Sequence, residues 1–243
     1  MPPTSNASAC GRPGPIRTRI EELAALQGVP IEGVYMMDAS KRTTRPNAFV
    51  AGFGKTKRVV INDTIAGFPM DELSQVIAHE LGHKRRNHVV KSFPFKALQM
   101  PLALLATELV IGNDVVLGWA GVGDLGDPAS FPLFGLFFFT VGFSVFGLPG
   151  QWLSRTYERE ADLEALELIG DPTSFVAVWP RMVLAAKPDL EPTPWRKLQA
   201  THPEIAERMQ FGLDWAAMND VAVTKPAPRS LSKPPEEPAA AAV

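Results

Sequence analysis

Apolar residues recur along this chain in three rhythms. From 16 to 28 they fall at Ile20, Leu23, Ala24 and Leu26, a helical spacing closed by Gly28. Between 33 and 63 they form short runs at 33–38, 47–54 and 58–63, the last two reading as a hairpin around Lys55-Thr56-Lys57. From Asp71, which can cap a helix after the Phe68-Pro69 turn, the 3.6-residue period returns. Leu73, Val76, Ile77 and Leu81 form one arc. A second periodic helix runs from about 153 to Ile169, with Tyr157, Ala161, Ala165, Leu168 and Ile169 on one side and Gly170-Asp171-Pro172 as its stop. Residues 173–198 read as further helix, broken by Pro180 and by a Pro-rich loop over 187–194. Pro203 suits the first position of a last helix, capped by Thr201 or His202.

The third rhythm is nearly unbroken apolarity. Residues 97–120 are mostly apolar but carry Glu108 and Asp114, and no charged residue occurs from 128 to 154. A bilayer span needs about 20 such residues. The expected spans are 97–120 and 131–153, forming a transmembrane helical hairpin inserted into the domain; the alternative is a pair of core helices in a soluble protein. Residues 1–15 are polar and rich in Gly and Pro, without the apolar centre of a signal peptide, and 222–243 are rich in Pro and Ala. Both ends are expected to be disordered, flanking one domain over 16–221. The fold class expected is α+β, mostly helical, with a small sheet.

Composition narrows this little. A net charge of −2 with a pI near 6.1 excludes nucleic acid as a bulk partner. The single cysteine, Cys10, excludes an intramolecular disulfide and a cysteine-based zinc site. Charge distribution says more. Lys84, Arg85, Arg86, Lys91 and Lys96 precede the first apolar stretch and suggest membrane phosphates nearby. The link between the two stretches carries Asp124 and Asp127 and no base. By the positive-inside rule, the part of the chain before the first span faces the cytoplasm.

The chemistry lies in His79-Glu80-Leu81-Gly82-His83. On a helix the two histidines stand one turn apart on one face, where both can bind one metal ion, and Glu80 can take a proton from a water held there. Zinc then needs a third protein ligand. On the later helix Glu158 and Asp162 fall within or beside the apolar arc, while Glu160, Glu164 and Glu167 cluster toward water. Glu158 is therefore the candidate third ligand, and Asp162 can fix a histidine tautomer. The competing reading is an inward acid satisfied by Arg155 or Arg159. His202, held at a Thr-His-Pro corner, is either a cap or a donor to an oxyanion.

These stretches, with Ser40-Lys41-Arg42 through Asn47-Ala48, Lys57 through Val60, Asp63-Thr64 and Glu207-Arg208, resemble the integral-membrane zinc endoproteases of the CAAX prenyl protease type and, more distantly, the HtpX-like proteases. The resemblance runs over about 16–212. It implies a zincin-like metalloprotease fold and one Zn2+, with His79, His83 and Glu158 as ligands and Glu80 as general base. It also implies that His202, with Asn47, stabilises the transition state, and that Arg208 lies near the site. Family members carry further spans ahead of the catalytic domain. No comparable apolar stretch precedes residue 97 here, which departs from that pattern.

The function expected is zinc-dependent peptide-bond hydrolysis by an integral membrane protein, acting on a peptide or membrane-protein substrate. The alternative is an inactive scaffold or partner subunit with a structural zinc site. An intact Glu80 argues against that alternative, because a structural site has no use for a base.

Overall fold

The structure, a computed structural model, describes residues 7–9, 14–189 and 191–224. Most of the expected lead-in, and the expected tail beyond 224, lie outside the described residues. Along the described residues the strands are β1 (Ala7–Ala9), β2 (Gly33–Met37), β3 (Ala48–Ala51) and β4 (Arg58–Asn62). The helices are α1 (Pro15–Leu26), α2 (Asp63–Ala66), α3 (Met70–Arg85), α4 (His88–Ile111), α5 (Asp114–Ala120), α6 (Ser130–Phe137), α7 (Phe143–Phe146), α8 (Leu148–Ile169), α9 (Pro172–Ala186), α10 (Pro194–Gln199) and α11 (Ile205–Met218). The fold is α+β and mostly helical. Its described residues divide into two compact units, one drawn from within 1–86, 158–190 and 203–243, the other from 87–157 and 191–202.

The first unit is built on a sheet of order β1-β2-β4-β3. The hairpin expected from the sequence is β3 antiparallel to β4. Its turn is fixed at Gly52, whose φ of +88° favours glycine and where a Cβ would lie 2.3 Å from the Thr56 carbonyl oxygen. β2 pairs with the other side of β4 in parallel, Val34 opposite Val59. β1, inside the stretch expected to be disordered, pairs antiparallel with β2, so backbone hydrogen bonding orders three residues that no hydrophobic pattern marks.

The core of this unit buries Val34, Val59 and Ile61 of the sheet against Ile20 and Leu23 of α1, Leu73, Ile77 and Leu81 of α3, and Val178 of α9. The apolar arc read from the sequence on α3 is thus the face that holds the motif helix down. α3 starts after Pro69, so Asp71 lies in its first turn and favours the helix dipole instead of capping it. Similarly, α11 begins at Ile205 with Glu204 at its cap, two residues later than Pro203 suggests. α9 runs unbroken through Pro180.

α3 is tied to α9 by a buried pair. Arg181 Nε and Nη2 donate to the two Glu72 carboxylate oxygens at 2.6 and 3.1 Å. It meets α8 at Gly82, where an added Cβ would lie 3.1 Å from Glu164 Cβ and 3.5 Å from Ala161 Cα. Glycine at this point of the motif lets the two helices close up.

The second unit carries the apolar stretches. α4 has 24 residues, about 36 Å at the helical rise, and is long and apolar enough to cross a membrane. It starts at His88, nine residues earlier than the expected span, and ends at Ile111. Asn113 then accepts the Val115 N–H to open α5, so Asp114 belongs to that short helix and not to the span. The second expected span is broken. α6 passes into a π-helical segment, Phe138–Gly142, then α7, and Ser130–Phe146 meets α8 at a 42° bend. Gly147 and Pro149 sit at that bend, where a flexible residue and a missing backbone donor favour a break. Ile111, Leu117 and Val122 pack against Leu133, Phe134 and Phe137, joining the two apolar segments.

Candidate metal centre

His79 and His83 project from α3 at i and i+4, and Glu158 from α8. One ligand atom from each lies within 4.8 Å of the others. The His83 and His79 Nε2 atoms are 3.1 Å apart, and Glu158 oxygens stand 3.4 Å from His79 Nε2 and 3.3 Å from His83 Nε2. The side chains are 12 %, 19 % and 7 % exposed, so the cluster is largely withdrawn from water but open on the His83 side.

A second layer orients it. His79 Nδ1 lies 2.8 Å from Asp162 Oδ1. Arg208 Nη2 is 3.2 Å from the same ring nitrogen, and an arginine cannot accept, so the Nδ1 proton belongs to the Asp162 bond. That leaves Nε2 as the nitrogen facing His83 and Glu158, where a metal would take the place of its proton. Arg208 grips Asp162 with two donors, Nε at 2.8 Å to Oδ2 and Nη2 to Oδ1, and its Nη1 is 3.4 Å from Glu158. Burial works against the charged form of Asp162, but Arg208 and His79 more than offset it and hold the carboxyl below its usual range. Burial likewise opposes charging of His79, yet its hydrogen bonds to Asp162 and Glu158 prevail and push it up to about 9.

Two imidazole Nε2 atoms and a carboxylate converge, and the acids around them favour positive charge at that spot. Nitrogen and oxygen donors in this number, with Asp162 behind one ligand, suit a divalent ion that keeps an open position. The residues present fit a bound metal. Glu80 is the half-buried neighbour of His79 on α3. Lys84, one turn on, has its pKa lowered by burial, with Glu80 opposing that shift.

The structure thus brings together His79, His83, Glu158, Asp162 and Arg208. Asn47 is exposed just before edge strand β3, its carbonyl accepting the Asn62 N–H. His202 is exposed and belongs to the second unit. Two expectations change. Glu164 does not face water: it is buried at 5 %, bonded by Arg85 Nη1 at 2.6 Å and Arg86 Nε at 2.8 Å. Accordingly, two of the bases expected near membrane phosphates are engaged within the first unit, and Arg86 also reaches Glu160 at 3.3 Å. One contributor escaped the sequence reading. Trp179 of α9 lays its ring under the Arg208 guanidinium, 4.0 Å from carbon to centroid. Only its place among the apolar residues of α9 marks it in the sequence, and that equally marks a core residue.

Comparison with known proteins agrees with this architecture. The model of peptidase family M48 matches residues 12–216. A CAAX prenyl protease 1 homolog of Oryza sativa subsp. japonica is 41% identical over 99 residues, 40% of this chain and 23% of the relative. The uncharacterized metalloprotease YhfN of Bacillus subtilis is 28% identical over 199 residues, 80% of this chain and 46% of the relative. The crystal structure of S. mikatae Ste24p is similar with a TM-score of 0.69 and 25% identity, covering 85% of this chain and 51% of that one. The chain spans about half the length of these relatives or less. With the family model matching most of the sequence, the resemblance read from the motifs holds: the chain belongs to peptidase family M48.

Proposed function

We propose that this protein is a membrane-associated zinc endopeptidase in which His79, His83 and Glu158 hold the metal and Glu80 is the general base. The observation that carries the reading is the convergence of the two His Nε2 atoms and the Glu158 carboxylate within 4.8 Å, with Glu80 next to His79 on α3. When bound, zinc supplies Lewis acidity for a carbonyl oxygen and makes water ionise near neutral pH. Asp162 holds the His79 ring in the tautomer that offers Nε2, and Arg208 holds Asp162 ionised. Glu80 takes the proton of the attacking water and returns it to the leaving amine, a role worth about 10²–10⁴-fold. His202 and Asn47, by family resemblance, steady the oxyanion.

The substrate class proposed is a membrane-tethered peptide or a membrane protein, because apolar helices interrupt the catalytic sequence between His83 and Glu158. The catalytic unit is proposed to face the cytoplasm. Lys91 and Lys96 still precede the apolar part of α4, against Asp124 and Asp127 in the link. The test is Glu80→Gln in full-length protein in detergent. Zinc content should match the parent while cleavage of an unfolded protein falls by about 100-fold or more. Parent-like cleavage by this variant would remove Glu80 from the role.

A further inference from the structure

Residues 191–202 do not fold with the sequence around them but with the apolar helices of the second unit. Their helix, α10, has six residues and buries none of them. So short a helix is unstable alone, yet it is held at both ends. Thr193 Oγ1 accepts the Arg196 N–H at 3.4 Å, and Arg155 Nη1 donates to the Leu198 and Ala200 carbonyls at 3.0 and 2.7 Å. Trp195 and Leu198 share one face at i and i+3, 47 % and 44 % exposed, with Arg196 and Lys197 turned away from it.

The same contacts fix which end of the unit this is. Arg155 lies on α8 one turn from Trp152, which is 63 % exposed. Two residues further on, Tyr157 stacks on His88, the first residue of α4, with centroids 4.3 Å apart and planes 4° from parallel. The start of α4, the Trp152–Tyr157 turn of α8 and the end of α10 therefore meet at one end of the unit. Lys91, exposed in the first turn of α4, is there as well, and α4 has no acid before Glu108. Exposed Trp and Leu interleaved with Lys and Arg at the foot of a membrane-length helix is the composition of an interfacial anchor.

We infer that α10, with Trp152 and Lys91, forms a belt that docks on the anionic headgroup layer of the bilayer crossed by α4. Trp195 and Leu198 enter the boundary between headgroups and acyl chains, while Arg196 and Lys197 meet lipid phosphates. The inference rests on the membrane reading proposed above. Its consequence is that lipid, through α10 and the Arg155 bonds, sets the chain two residues before His202.

The test places one nitroxide at a time on full-length protein in vesicles, with Cys10→Ser as background because Cys10 is the only cysteine. Labels replace Leu198 on α10, Leu105 within the apolar part of α4 and Leu26 at the exposed end of α1. The reading is the ratio of collisions with dissolved oxygen to collisions with a water-soluble nickel chelate. In vesicles containing phosphatidylglycerol, the ratio at 105 should be highest, and that at 198 should exceed that at 26 by about threefold or more. Neutral phosphatidylcholine vesicles, or Arg196→Glu with Lys197→Glu, should lower the ratio at 198 and leave that at 105 unchanged, since each cation near such a surface is worth about fivefold. Lipid-like values at 105 with aqueous values at 198 would overturn the belt and spare the membrane reading. Aqueous values at 105 would overturn both. Low collision with both reagents at 198 would mean a protein partner, and a ratio there indifferent to charge would remove the anionic headgroups; each overturns the inference.

Discussion

Trp179 and Arg208 show how far the site extends beyond its proposed ligands. Arg208 is buried, bonds Asp162 with two donors and sits 4.0 Å from the Trp179 ring centroid. A guanidinium over a desolvated indole gains about 0.5–2 kcal/mol. Without that face Arg208 is less tightly held, and the Asp162 bond that orients His79 loosens. Trp179→Leu should therefore weaken zinc binding by about 3- to 30-fold in a chelator competition, with Trp179→Phe in between. Equal zinc affinity in all three proteins would make Trp179 a core residue only. At this scale the sequence was informative where spacing carries meaning. The i, i+4 pairs His79/His83 and Glu158/Asp162 could be grouped because helix geometry alone decides which side they share. Arg208 came from resemblance, and Trp179 could not be found, because its partner lies on a different helix and its neighbours Val178 and Pro180 are as apolar as a core position requires. Glu164 departs from the expected water-facing place for the same reason. A wheel shows that it points away from the core of its own helix, but not that Arg85 and Arg86 of α3 wait there.

Between elements, the contact of α3 with α8 decides whether the ligands can meet. Gly82 is the narrow point. Alanine there gains about 1 kcal/mol of helix propensity but sets a methyl 3.1 Å from Glu164 Cβ, and Glu164 is fixed by two arginines. Overpacking of this kind costs about 1–3 kcal/mol. Gly82→Ala should lower the thermal midpoint and bind zinc more weakly than the parent, because Glu158 moves with α8. The same contact is pH-sensitive. Burial tends to raise the Glu164 pKa, but Arg86 and Arg85 override it and leave it below the ordinary value of 4.5. A carboxylate held low stabilises the fold above its unfolded pKa. That contribution is whole above about pH 4.5 and is lost as pH falls through the lower folded value. Glu164→Gln should cost about 1 kcal/mol at neutral pH, since its arginines are partly exposed, and chemical denaturation should show the cost shrinking in acid. A pH-independent cost would mean that packing, and not charge, is lost.

Over the whole molecule, the first unit is assembled from three separated pieces of chain, and each supplies part of the centre: His79 and His83 before the apolar helices, Glu158 and Asp162 after them, Arg208 beyond α10. The sequence revealed the helices and the hairpin because their periods are local. It did not reveal the parallel pairing of β2 with β4, the break near Gly147, or the interleaving of two units, all of which depend on contacts between distant residues. In such an arrangement the proposed metal would act as a clasp. An ion that binds only the folded centre stabilises it by mass action, about 2.7 kcal/mol at 100 times its dissociation constant. For a chain of this size about 2–4 °C accompanies each kcal/mol, so stripping zinc should lower the midpoint by about 5–10 °C, and adding it back should restore the loss. Glu158→Ala should start lower than the parent and respond much less to zinc, while Glu80→Gln, which leaves the ligands intact, should respond like the parent. A chelator shift of the same size in Glu158→Ala and the parent would move the third ligand elsewhere, with Glu160, on the Arg86 side of α8, the next residue to replace.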